Sequence, residues 1–297
     1  MSRLFILPFA VLLTAQSFAQ NYPREFAKLL TQKDTTAQWQ LLQNWEKACP
    51  NDAELFIAYF NYYFSKSRIP ALHISEAPDA DTTLQIKDST SDETLAYITN
   101  DIVFNNELLQ KSFDCIDTGI NKYPARLDMR LGKIFVLGQL EHYDAFTNEI
   151  IKTIDWDNRF DHQWTWTDNA RVTNPKQFFL HAIQDYVVQL YNAGDEQLSR
   201  MQQVAQAVLK YYPAHVESLS NLAISFGLQG NYDGALEALF KAVKIAPRDA
   251  VVLNNIAYMY EQKGDKPNAI KYYELTAKHG DKEARATVAG KLKKLKG

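Results

Sequence analysis

Two prolines, Pro213 and Pro247, stand 34 positions apart, and the residues between them form two apolar helical patterns joined by Gly230-Asn231. A helical hairpin of this length cannot bury its own apolar face, so it needs similar hairpins stacked beside it. The chain supplies one directly, because the pattern recurs over 250–283. Proline suits such junctions because it cannot continue the preceding helix and has no N–H to lose in the next one. Pro50 and Pro124 occupy similar junctions. At positions 9, 10 and 13 after three of these prolines stand Tyr59, Phe60, Tyr63; Leu222, Ala223, Phe226; and Ile256, Ala257, Tyr260. After Pro124 the apolar set sits two residues earlier, as Leu131, Gly132, Phe135.

Residues 216–249 resemble a tetratricopeptide repeat through Leu219, Leu222, Ala223, Phe226, Gly230, Tyr232, Ala235, Leu239, Ala242 and Pro247. Residues 250–283 follow with Leu253, Ile256, Ala257, Tyr260, Gly264, Ala269 and Tyr273, and depart at Thr276 and at Asp281, where the family closes with proline. Small residues at Ala223/Ala235 and Ala257/Ala269 let paired helices approach closely. The resemblance implies an all-α fold over 20–297, an α-solenoid of antiparallel helix pairs, with 216–249 and 250–283 as its best repeats. Residues 281–296 then read as a terminal helix with a polar outer face, as the end of a solenoid requires.

The rest of the chain follows helical periodicity with two irregular insertions. Phe26, Leu29 and Leu30 form one stripe, Trp39, Leu42 and Trp45 another, and Phe56, Tyr59, Phe60 and Tyr63 a third after the turn Pro50-Asn51-Asp52. Over 66–92 the pattern breaks. Leu72-His73-Ile74 and Leu84-Gln85-Ile86-Lys87 alternate around Pro78-Asp79-Ala80-Asp81, which predicts a small hairpin or ordered loop. From Glu93 the spacing of Leu95, Ile98 and Ile102 reads as helix again. The second insertion, 155–175, gathers Trp156, Trp164 and Trp166 among Asp and Asn. Neither acidic cluster has the spacing or the glycine of a calcium loop.

The first nineteen residues read as a cleavable signal peptide. Arg3 precedes a short apolar run, and Ser17-Phe18-Ala19 places small residues where a signal peptidase cuts. That run is shorter than the roughly 20 apolar residues that span a bilayer, so no transmembrane segment is expected after cleavage. No cysteine lies near the cut. A periplasmic or secreted protein is the expectation. Cys49 and Cys115, the two cysteines, could pair there or serve as small apolar residues at helix contacts.

Net charge is −3, with 32 Lys+Arg against 35 Asp+Glu, so there is no basic field for nucleic acid. Motifs for hydrolase nucleophiles, zinc peptidases and phosphate loops are absent, and the six histidines are scattered. The sequence therefore predicts no enzyme, no cofactor and no metal. Within the resemblance, the first helix of each repeat lines a concave groove, faced here by Glu217, Asn221, Ile224, Leu228, Val251, Asn255, Tyr258 and Gln262. An Asn amide can donate and accept together, which suits the backbone of a protein or peptide partner. That face lacks the Lys or Arg with which the family captures a C-terminal carboxylate. The competing reading is a glycan platform formed by Trp156, Trp164 and Trp166. Oligomeric state is left open.

Overall fold

The computed structural model describes residues 22–77 and 84–297. The leader expected over 1–19 and the turn at 78–81 lie outside the described residues. Among those described, thirteen α-helices and one three-stranded sheet make up two compact units, divided between Met129 and Arg130 except that Thr167–Asn169 belongs to the first.

The first unit opens with α1 (Tyr22–Gln32), α2 (Thr35–Ala48) and α3 (Ala53–Ser67). Acidic side chains start two of these helices. Asp34 accepts from the amide of Ala37, and Asp52 accepts from that of Glu54, each satisfying a donor that the first helical turn leaves free. Asp52 also accepts from Trp45 Nε1 at 2.9 Å, which ties the turn to the core. Phe26, Leu42, Trp45, Leu55 and Tyr62 form that core. Full burial of each such side chain is worth about 1.5–3 kcal/mol. Helix α4 (Asn106–Lys122) packs on α3, where a Cβ on Gly119 would stand 2.8 Å from Phe56 Cβ. Only a residue without a side chain fits there. The Arg126 guanidinium is buried between Glu54 and Asp128, at 2.7 Å from each.

Strands β1 (Arg68–Ser75), β2 (Leu84–Lys87) and β3 (Thr94–Phe104) form an antiparallel sheet with β3 in the centre. The helix read from Leu95, Ile98 and Ile102 is therefore a strand. Thr94, Tyr97, Thr99, Ile102 and Val103 are aromatic or β-branched residues that favour extended backbone. Two neighbouring strands are also available to pair with them. Pro70, Leu72, Ile74, Leu84, Ile86, Ile98 and Ile102 share one face of this sheet, by the register of its pairs.

The second unit takes up most of α5 (Leu127–Gln139), then α6 (Tyr143–Arg159), α7 (Pro175–Asn192), α8 (Leu198–Tyr211), α9 (Val216–Leu228), α10 (Tyr232–Ile245), α11 (Ala250–Gln262), α12 (Lys266–His279) and α13 (Lys282–Lys296). Leu219, Ala223, Ala235, Leu239, Ala242, Val252 and Ile256 form one continuous core across the two repeats. Both predicted small pairs, Ala223/Ala235 and Ala257/Ala269, are fully buried. The hairpin turns need a positive φ, and Gly230 (φ 79°) and Gly264 (φ 76°) provide it. Asn231, Asp249, Asp265 and Asp281 each cap the helix that follows. On α13 only Val288 is buried, so the helix closes the core with one narrow stripe. No described helix is long and apolar enough to cross a membrane.

Candidate partner-binding groove

Helix α9 touches both α7 and α11, so the first helices of three successive hairpins lie side by side. Their shared face is set by helical spacing. Gln177, His181, Gln184, Val188 and Tyr191 follow one stripe on α7, beside the predicted stripes on α9 and α11. Apolar side chains stand open along it: Val188, Tyr191, Leu228 and Val251 are 45%, 50%, 45% and 64% exposed. Ile224 and Tyr258 are half-buried, and Glu217 and Gln262 are exposed. The apolar members of α7 do not follow from the repeat register, because Pro175 and Pro213 stand 38 positions apart where the later prolines stand 34 apart.

The two asparagines behave differently. Asn221 is buried, and its Nδ2 donates to Gln184 Oε1 at 2.7 Å, so its amide is already engaged between α7 and α9. The expectation that it reads a partner's backbone is corrected on this point. Asn255, one repeat later, is half-buried and its Nδ2 has no partner. Tyr258 carries the Lys291 ammonium 5.3 Å from its ring centroid. That ammonium also pairs with Glu261 at 2.9 Å.

At the α7 end the groove widens into a cavity of about 1170 Å³, bordered by His162, Asn174, Lys176, His181, His215 and Glu217 among others. The second predicted insertion therefore contributes to the wall of the groove. His215 Nε2 lies 3.3 Å from Glu217 Oε2, and its Nδ1 lies 2.9 Å from Ser218 Oγ. Burial lowers the His215 pKa below its usual value, and the nearby Lys176 charge adds to this while Glu217 opposes it. The imidazole is neutral at neutral pH. Val251 borders a smaller hollow of about 400 Å³ near the start of α13, with Asn254, His279 and Asp281.

The tryptophan-rich stretch is built around a buried carboxylate. Residues 155–159 belong to the last turn of α6, so the irregular segment begins after Arg159. Asp157, fully buried, accepts from Trp164 Nε1 at 2.5 Å and from the Tyr212 hydroxyl, and lies 3.0 Å from His162 Nδ1. Trp164 is 1% exposed and packs on Phe179 and Phe160. It offers no open ring face. Trp156 is stacked on Phe160, with the guanidinium groups of Arg130 and Arg159 at 5.1 and 4.9 Å from its ring centroid. Trp166 packs edge-to-face on Phe178. Trp164 is thus closed to a sugar, while Trp156 and Trp166 are half-buried.

In the first unit Cys49 and Cys115 are free thiols. No cluster of His, Cys, Asp and Glu with metal-binding geometry occurs among the described residues.

Residues 250–275, which carry α11 and most of α12, match the tetratricopeptide repeat family. The match covers a single repeat, on α11 and α12. No curated protein matches it. Similar solved structures include PilW, titled a widely conserved type IV pilus biogenesis factor, at 11% identity and a TM-score of 0.40, covering 91% of this chain and 98% of that one. MamA is similar at 16% identity and a TM-score of 0.37, over 61% of this chain and 93% of that one. A thermophilic repeat protein of the same class from Thermus thermophilus is similar at 13% identity and a TM-score of 0.38, over 61% and 89%.

Proposed function

We propose that this tetratricopeptide-repeat protein is a non-catalytic adaptor that holds a segment of a partner protein against α7, α9 and α11. The observation that carries the reading is the stripe of exposed Val188, Tyr191, Leu228 and Val251 on three adjacent first helices, interleaved with amide side chains. Open apolar residues on a soluble face lose water when a partner covers them, at about 25 cal/mol per Å². Interleaved amides add direction by pairing with an extended or helical backbone. The stripe carries no Arg, and Lys291 is held by Glu261, so the face favours an apolar and neutral segment over a terminal carboxylate.

A random-peptide display selection on the purified chain tests this. Selected peptides should be rich in apolar residues and should lose binding to Leu228→Asp and Val251→Asp, while Glu237→Lys on α10 has no effect. Peptides that bind all three variants alike would contradict the groove.

The compartment proposed is the bacterial cell envelope, periplasmic or secreted, on the strength of Arg3, the apolar run and Ala19. N-terminal sequencing of the mature protein should begin at Gln20. A start at Met1 or Ser2 would contradict it.

A further inference from the structure

A third cavity, in the first unit and independent of the groove, measures about 410 Å³. Its wall includes Trp39, Tyr59 and Tyr63, with Glu46, Asp114 and Cys115 around them. The rings are arranged rather than merely gathered. Tyr59 and Tyr63 lie one helical turn apart on α3, with centroids 6.2 Å apart and planes within 17°. Trp39, from α2, meets both of them edge-on at 6.2 Å, with interplanar angles of 69° and 64°. Its indole is also stacked on buried Tyr62 at 5.4 Å, which fixes its orientation.

The charged side chains that line the cavity have one sign. None of the residues lining the cavity is Lys, Arg or His, and two are exposed carboxylates, Glu46 on α2 and Asp114 on α4. Glu46 is held towards the rings, since the Tyr59 hydroxyl donates to its Oε2 at 2.7 Å. Three ammonium groups near this wall have partners of their own: Lys122, 5.5 Å from the Phe56 ring centroid, with Asn51 Oδ1, Lys66 with the Tyr62 hydroxyl at 3.1 Å, and Lys111 with Glu107 at 2.7 Å. The thiol of Cys115 registers the environment, as burial first and then the charges of Asp114 and Glu46 raise its pKa to about 11. A neutral thiol at that place is no nucleophile and acts as a soft wall.

We propose that this cavity is a binding site for an organic cation, a guanidinium or alkylammonium group seated among Trp39, Tyr59 and Tyr63 with Glu46 and Asp114 as counter-charges. Aromatic faces carry negative quadrupole charge, and an organic cation sheds its water more readily than a metal ion does. An anion would meet two carboxylates and no cationic side chain in the lining, and a neutral ligand would gain only the contact area. The cation can be free or can be the side chain of a partner protein, since the ring cage reads the head group.

The test uses the full chain and the Trp39 indole N–H resonance, assigned through Trp39→Phe. Tetramethylammonium, N-acetyl-arginine amide and a tripeptide with central Arg are titrated beside the neutral isostere N-acetyl-citrulline amide. The cations should shift the resonance saturably, with citrulline weaker by about tenfold or more, the scale of one to two cation–π contacts. Glu46→Gln with Asp114→Asn, both exposed positions, should weaken the cations about tenfold while the unfolding midpoint stays put. Tighter binding of the tripeptide than of free arginine amide supports the site with a protein side chain as its natural occupant. Equal binding supports it with a small molecule. Citrulline binding as well as arginine, or cation binding unchanged in the double variant, overturns the proposal.

Discussion

The amide of Asn221 donates to Gln184 Oε1 at 2.7 Å, joining the first helices of two successive hairpins across the floor of the groove. The residue expected to meet a partner is thus part of the structure that presents the partner's surface, and this gives Asn221 and Asn255 opposite predicted behaviour despite their equivalent places in the repeat.

Asn221→Ala removes a buried hydrogen bond and leaves Gln184 without its partner, which should cost about 1–2 kcal/mol. Asn255→Ala removes a buried Nδ2 that makes no bond, so it should be near neutral, within about 0.5 kcal/mol. Urea unfolding monitored by circular dichroism distinguishes them. Equal losses would show that the 184–221 pair is not formed.

Asp157 is the second place where a polar residue holds structure together. Asp157→Ala strands Trp164 Nε1 inside the protein and leaves the Tyr212 hydroxyl only His162 Nδ1, at 3.2 Å, so the loss should reach about 2–4 kcal/mol. Trp164→Phe removes the donor and part of a fully buried ring, so it should also destabilise, by about 1–3 kcal/mol. Thermal unfolding of both variants measures the two losses. A stable Asp157→Ala protein that has lost affinity for glycans would instead restore the sugar-platform reading of Trp156, Trp164 and Trp166.

The His215 pKa is lowered in the folded protein, by burial first, so the folded state holds its proton less tightly than the unfolded chain does. Stability contributed by the neutral imidazole is therefore full above the unfolded value of about 6.5 and is lost as pH falls below it towards the lower folded value. Denaturation midpoints measured between pH 7.5 and 5 should decline, and His215→Gln should flatten the lower part of that decline. A His215→Gln profile parallel to that of the parent would contradict the assignment.

The helical repeats were readable because their signals are local. Ala223 and Ala257 are fully buried ten residues after their prolines, and Gly230 and Gly264 take the positive φ that the 34-residue spacing demands. What escaped depends on partners far along the chain. Leu95, Ile98 and Ile102 fit a helix by spacing alone, and only the pairing of Ile98 with Ile74 and Leu84 makes the segment a strand. Trp164 looked available until Asp157 on α6 and Tyr212 at the end of α8 enclosed it. The groove was half legible. Leu228 and Val251 follow from the repeat register, whereas Val188 and Tyr191 sit on a hairpin whose prolines, Pro175 and Pro213, are 38 positions apart and break that register.

The most direct test of partner binding is photo-crosslinking in cells that express the full chain, with benzoylphenylalanine placed singly at Val188, Leu228 and Val251 in the groove and at Glu237 and Lys241 on α10. The groove positions should yield one common adduct, lost when Tyr258→Asp is introduced elsewhere on the same face, and the α10 positions should yield none. Adducts of equal strength at Glu237 and Lys241, or groove adducts that persist beside Tyr258→Asp, would contradict a partner site on α7, α9 and α11.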